Sequence, residues 1–204
     1  MWHDITQNTE EWEQLRVGKY TSSQFPKICA NMGKAFGNPA KDYARKIALE
    51  RVTGKKDSTS RFYNSHMQRG HELESEAAYY YGMETMFDVM NGGFYEHNSG
   101  LHGGSPDGLI GFNGNMIEIK SVITNTQWDR IEKNNYDTAY KWQIQGNLHL
   151  SGGEWCDFIS FCPEFKPRPL FIKRVYRDEE MINNLVDRLS QFEELVQKYI
   201  KMIS

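Results

Sequence analysis

From residue 8 to about residue 81 the apolar positions recur at helical spacing; after that they shift to the two-residue alternation of strands. Residues 8–16 predict a first helix, with Asn8 or Thr9 as N-cap and acids in its first turn. Ser22–Ala30 predicts a second, short one. A Gly/Asn/Pro loop (31–39) then leads to a helix over 40–53, stopped by Gly54. A polar loop, 55–60, precedes a longer helix over 62–81. Strands are predicted over 86–90, 94–97, 108–112 and 116–122, separated by Gly/Asn turns. Helical spacing returns at 127–133 and 139–150, strands at 155–162 and 170–176, and a last helix at 178–202.

Helices first, strands in the middle and helices inserted between strands give an α/β (α+β) class with a central mixed sheet flanked by helices. At 204 residues one domain is expected over 1–204. Its parts are a helical N-terminal portion to about 83, a sheet-containing core over 84–176 and a C-terminal helix over 178–203. The last helix carries Ile182, Leu185, Leu189, Phe192, Val196, Tyr199 and Ile203 in steps of three and four. Such a seam either caps the sheet of its own subunit or forms a coiled-coil contact; capping is the expectation.

Chemistry concentrates in one predicted hairpin. Ser105-Pro106-Asp107-Gly108 enters a strand, Asn113-Gly114-Asn115 turns it, and Glu118-Ile119-Lys120 lies on the returning strand. Side chains alternate along a strand, so Glu118 and Lys120 share one face and Ile117 and Ile119 the other. Antiparallel pairing brings Asp107 close to Glu118. Two carboxylates and a lysine at one spot suit metal-assisted phosphodiester hydrolysis. The competing reading is a surface hairpin whose charged face is wet.

Two helices add candidates. Glu74 shares a stripe with Gly70, Ala77 and Tyr81, so its acid must be paired, with Arg69 or His71 for example, or hold a metal. In Tyr140-Lys141-Trp142-Gln143-Ile144-Gln145, the 100° step puts Gln143 with Tyr140 and Asn147, and Gln145 on the far side with His149. Gln143 is therefore the better inward candidate of the two, while pattern alone favours an ordinary helix-surface glutamine.

These motifs, preceded by Arg69-Gly70-His71-Glu72-Leu73-Glu74 and by Leu15-Arg16-x-Gly18-x-x-Thr21-Ser22-Ser23, resemble the phage lambda exonuclease family of the PD-(D/E)xK nuclease superfamily. The resemblance runs in consistent order over about residues 12–162 and implies a restriction-endonuclease-like core. It implies processive 5′→3′ digestion of one strand of linear duplex DNA to 5′-mononucleotides, leaving 3′ single strands for phage recombination.

Position by position, Asp107, Glu118 and the Ile119 carbonyl would bind Mg²⁺, and Glu74 would complete or position a second ion. Mn²⁺ is expected to substitute. Lys120 would orient and help deprotonate the attacking water, Gln143 would hold that water or the phosphate, and Arg16, Ser23 and Ser105 would receive the 5′-phosphate. The family further implies a ring-shaped homotrimer and a single-strand annealing protein as partner. The segment between Lys120 and Gln143 is shorter than in the lambda enzyme, and Ser121 stands where that enzyme has cysteine. The alternatives are another PD-(D/E)xK endonuclease or resolvase, and a catalytically disabled DNA-end-binding protein; intact Asp107, Glu118 and Lys120 speak against the last.

Composition changes this little. A formal charge of -3 argues against loose coating of DNA but not against a locally basic cleft. Cys29, Cys156 and Cys162 lack zinc spacing, are too few for an iron–sulfur cluster and are expected to stay reduced. No apolar run approaches a membrane span and the start lacks the layout of a signal peptide, so a cytoplasmic location is expected. The six histidines are scattered and read as surface or core residues, His66 and His71 lying near Glu74. Trp12, Trp128, Trp142 and Trp155 read as core or interface, and Lys34 as a solvated loop lysine or a DNA contact.

Overall fold

The computed structural model describes residues 1–57 and 65–204, with side chains for all of these except 65–68 and 71. In chain order the elements are β1 (Trp2–His3), α1 (Glu10–Leu15), β2 (Tyr20–Thr21), a 3-10 turn (Ser22–Gln24), α2 (Phe25–Cys29), α3 (Asn38–Thr53) and α4 (Ser65–Thr85). There follow β3 (Val89–Met90), β4 (Phe94–Glu96), β5 (His102–Gly104), β6 (Gly108–Ile110), β7 (Asn115–Ser121) and α5 (Thr124–Lys133). A second 3-10 turn (Thr138–Tyr140), α6 (Lys141–Ser151), β8 (Trp155–Phe161), β9 (Leu170–Tyr176) and α7 (Glu179–Ile203) complete the chain.

Most ends are set by local chemistry. Thr9, not Asn8, caps α1, its hydroxyl accepting from Trp12 N–H. Gly54 and Gly152 adopt the left-handed conformation that closes α3 and α6, and Asp178 caps α7. The expected start of α4 at Phe62 lies outside the described residues. The helix passes its expected end at Tyr81, and Met86 N–H still bonds to the Gly82 carbonyl. Met86 then takes a positive φ of 62°, so only Val89–Met90 remain of the strand expected over 86–90.

Among the described residues two sheets form rather than one. The larger runs β3-β6-β7-β8-β9, with β7 and β8 parallel and its other pairs antiparallel. The parallel pair needs a crossover, which α5 and α6 supply. The smaller runs β1-β4-β5-β2 and takes the segment 94–97 away from the central sheet. Its strands of two or three residues are too short to show periodicity, and β1 and β2 lie within the portion expected to be helical.

Strand β7 is covered on both faces. Ile117 and Ile119 pack with Ala77 and Tyr81 of α4, whereas Met116 packs with Ile144 and Leu148 of α6. Each such fully buried aliphatic side chain stabilises the fold by roughly 1.5–3 kcal/mol. The α7 seam packs on α2, α3 and Tyr20, burying Leu185, Leu189, Phe192 and Val196. It therefore covers the N-terminal helices of its own chain and not the sheet, and Ile203 stays exposed. All three cysteines are buried and free. Among the described residues no helix is long and apolar enough to cross a membrane.

Candidate active site

The hairpin β6–β7 sets the geometry. Gly108 pairs with Ile117, and the Asp107 N–H bonds to the Ile117 carbonyl at 3.2 Å, so Asp107 sits just outside the ladder beside Glu118. Its Oδ2 accepts from Ile119 N–H at 2.6 Å. The N–H and C=O of one strand residue point to the same edge, so the Ile119 carbonyl is directed to the Asp107 side, beyond the end of β6. Two contacts fix the approach to Asp107. Gln7 Nε2 donates to the Pro106 carbonyl at 2.7 Å. A Cβ at Gly92 would lie 1.8 Å from that same oxygen, so only glycine fits there.

Glu118 is 1% exposed, which excludes the wet-hairpin reading. Its Oε1 accepts from Lys120 Nζ at 2.5 Å and from Gln143 Nε2 at 2.6 Å, whereas its Oε2 has no hydrogen-bond partner. Burial pushes the Glu118 carboxyl up; the Lys120 ammonium opposes this, and the Asp107 and Glu74 charges add to it. Burial alone would lower the Lys120 pKa, but the Glu118 and Asp107 carboxylates raise it further, so it is an ammonium here. The ammonium also lies 5.0 Å from the centroid of the Tyr140 ring.

Glu74 is half-buried on α4, within reach of Glu118 by charge. Arg69, one partner considered for it, is engaged bidentately by Glu164 at 2.7 and 2.6 Å. The side chains of His66 and His71 lie outside the described ones. Gln143 is buried and turned toward Glu118, not the surface glutamine that pattern alone favours. Gln145, on the far side, is buried too: its amide donates to the Tyr176 carbonyl and accepts from Asp178 N–H. Helix α6 is enclosed on both faces, by the sheet and by α2 and α7, so phase alone could not tell the two glutamines apart.

A second cluster adjoins the first. Trp12 stacks under Arg16, whose guanidinium carbon is 3.6 Å from the ring centroid, and the Trp12 indole N–H donates to Ser105 Oγ at 2.9 Å. Trp12 thus holds together two residues expected to share a ligand. It is a core residue with a positioning role that its pattern did not reveal; its place four residues before Arg16 on one helix face is the available signal. Arg16 Nε is buried without a partner. Burial lowers the Arg16 pKa, against Tyr43, Glu13 and Glu50.

Parallel pairing of β2 with β5 sends the chain out at the same sheet end into Ser23 and Ser105. Ser23 is exposed and its hydroxyl meets Thr21 Oγ1 at 3.3 Å. Trp128 is 59% exposed, in an edge contact with Phe165, so it is not core. Lys34 is exposed.

The arrangement is a carboxylate centre with an ammonium and an amide donor, and beside it a half-buried arginine with a hydroxyl. The first suits a hard divalent cation and a phosphodiester, the second a terminal phosphate. Residues 11–154 match the YqaJ-like viral recombinase domain. Among solved structures, the alkaline exonuclease LHK-Exo from Laribacter hongkongensis is similar with a TM-score of 0.84 and 30% identity, over 96% of each chain. LHK-Exo in complex with dAMP matches over the same shares with a TM-score of 0.84 and 31% identity. A phage-related exonuclease from Haemophilus somnus 129PT shares the fold, with a TM-score of 0.68 and 18% identity over 91% of this chain and 96% of the other. No curated protein sequence matches.

Proposed function

The chain belongs to the YqaJ-like viral recombinase family, related to lambda exonuclease, and from that premise we propose that it is a Mg²⁺-dependent exonuclease that digests the 5′-ended strand of linear duplex DNA. That it is a DNA-hydrolysing enzyme of the exonuclease kind follows from the family and from its likeness to LHK-Exo. Cofactor, polarity and products are our reading. The observation that carries it is the convergence of Asp107, Glu118, Lys120 and Gln143 at the end of β6, beside Arg16 and Ser105. LHK-Exo binds dAMP, a nucleoside monophosphate of the product class proposed here.

The donor set fits a hard divalent ion. Glu118 Oε2 is buried without a partner, the Ile119 carbonyl is directed toward Asp107, and Asp107 and Glu74 supply further oxygens. An ion held there would neutralise charge on the scissile phosphate and favour ionisation of the attacking water. Lys120 is anchored by Glu118 and donates toward the same centre, where its ammonium orients the water or the phosphate. Gln143, fixed on α6, uses its amide in the same way. The Arg16 guanidinium with the Ser105 hydroxyl, and Ser23 at the same sheet end, would receive the 5′-phosphate and so set polarity. A ring-shaped trimer around DNA would account for processive digestion, and the 3′ strand would pass to a single-strand annealing protein in the host cytoplasm.

One digestion tests this. Linear duplex labelled at the 5′ or 3′ ends, with and without 5′-phosphate, is incubated with Mg²⁺ beside a closed circle. Loss of label from phosphorylated 5′ ends with the circle intact is expected. Cutting of the circle would make the protein an endonuclease, and binding without cleavage would make it an end-binding protein.

A further inference from the structure

Three histidines that are scattered in sequence meet in the fold. His97 follows β4, His102 opens β5 and His149 lies in the last turns of α6, and one ligand atom from each lies within 4.8 Å of the others. His102 is 7% exposed, yet neither of its ring nitrogens has a hydrogen-bond partner. Its ring lies between that of Tyr20, 5.4 Å away and parallel, and that of His97, 4.3 Å away and parallel. An aromatic stack alone does not explain a histidine here, because phenylalanine would stack without leaving two buried nitrogens unpaired. Burial, and after it the neighbouring His97 and His149, push the His102 pKa down to about 3, so its imidazole is neutral and its lone pair available.

We propose that His97, His102 and His149 form a site for one divalent transition ion of the zinc class, distinct from the carboxylate centre. Three neutral imidazole nitrogens select zinc, cobalt or nickel over Mg²⁺, which prefers oxygen. His97 and His149 are only half-buried, so a fourth position faces solvent. The His149 ring is also near-parallel to those of His102 and His97, with centroids 6.4 and 5.7 Å away; the lone pairs of all three lie in nearly parallel planes, so two of the rings must turn on binding. His102 is buried on its strand, whereas His97 lies on a loop and His149 is half-buried near the end of its helix, and these two are the rings that turn. The His97 Nδ1 accepts from Ser99 N–H at 3.2 Å and meets Ser99 Oγ at 2.9 Å; ligation through Nε2 would move the ring proton to Nδ1, so the turn must release the N–H contact and leave the hydroxyl to accept that proton. The ion would pin β5, which leads to Ser105 and Asp107, to α6, which carries Gln143.

The test is titration of the full chain with Zn²⁺, and with Co²⁺ as a spectroscopic probe, in millimolar Mg²⁺ that occupies the carboxylate centre. One Zn²⁺ per chain is expected, with visible Co²⁺ bands. Both should persist in Glu118→Gln, and affinity should fall at least a hundredfold in His149→Gln and in His97→Asn. The last two replace half-buried rings, and circular dichroism verifies their fold. Zn²⁺ should raise the Tm of the parent and of Glu118→Gln but not of the histidine variants. The site is overturned if no Zn²⁺ binds under excess Mg²⁺. Binding that survives His149→Gln and His97→Asn, or that disappears with Glu118→Gln alone, would equally overturn it. Because none of these readouts uses DNA, failure here leaves the exonuclease reading standing, and the reverse holds too.

Discussion

Two buried clusters of ionisable groups sit at opposite ends of helix α6, and they meet the cost of burial in opposite ways. At the Gln143 end, Glu118 has an internal ammonium and an amide on one oxygen, so pairing offsets part of the cost of its charge. At the His149 end, His102 has no partner on either nitrogen and carries no charge at all. A charged buried group without a partner would be far costlier than either arrangement. The carboxylate cluster is therefore arranged to attract a cation by charge, the histidine cluster to bind one by lone pairs. The two should differ in metal preference, in response to pH and in what a mutation removes.

The comparison breaks most sharply at Lys120. Lys120→Ala leaves Glu118 with only Gln143 as a donor, and turnover should fall by about 10²–10⁴-fold while duplex binding persists. Single-turnover digestion beside a binding titration measures both; undiminished turnover would remove Lys120 from the chemistry. A smaller, selective effect is expected from Arg16→Ala. Losing a charge-assisted contact to a terminal phosphate should slow digestion of 5′-phosphorylated ends by about 10–100-fold and of 5′-hydroxyl ends much less. Equal loss on both ends would show that Arg16 supports the fold through Trp12 and does not read the phosphate.

The two clusters also differed in how far the sequence revealed them. Asp107, Glu118 and Lys120 lie within fourteen residues on one hairpin, where strand alternation and antiparallel pairing bring them together. Gln143 was not legible from helix phase alone, because α6 is enclosed on both faces and buries Gln145 as well. The long strands β7, β8 and β9 and the main helices were legible because they run long enough for a period to show. The small sheet was not: β1, β2 and β5 span two or three residues and exist only by pairing with distant ones. Its assembly brings His97 and His102 together, and α6 adds His149 from nearly fifty residues further on. Trp12 was read correctly as core, but its contacts to Arg16 and Ser105 depend on the same long-range pairing.

The smallest expected effect separates the clusters by sign. In chelator, Glu118 has a folded pKa above its ordinary 4.5, so the folded state holds this proton more tightly than the unfolded one. The parent should then lose stability relative to Glu118→Gln as pH rises above 4.5. His102 runs the other way: its pKa is depressed from 6.5 to about 3, so its contribution is present above 6.5 and is lost as pH falls toward 3. Relative to His102→Phe, which keeps the ring stack, the parent should weaken on acidification. Each difference should be on the order of 1–3 kcal/mol, read as urea midpoints across pH. Opposite slopes would establish that one cluster is strained by its negative charge and the other by a proton. Parallel curves for parent and Glu118→Gln would mean that Lys120 compensates Glu118 fully, leaving the carboxylate no electrostatic reason to recruit a metal beyond its lysine. Adding Mg²⁺ distinguishes the two cases, because it should flatten the Glu118 slope by stabilising the ionised carboxylate and leave the His102 slope unchanged.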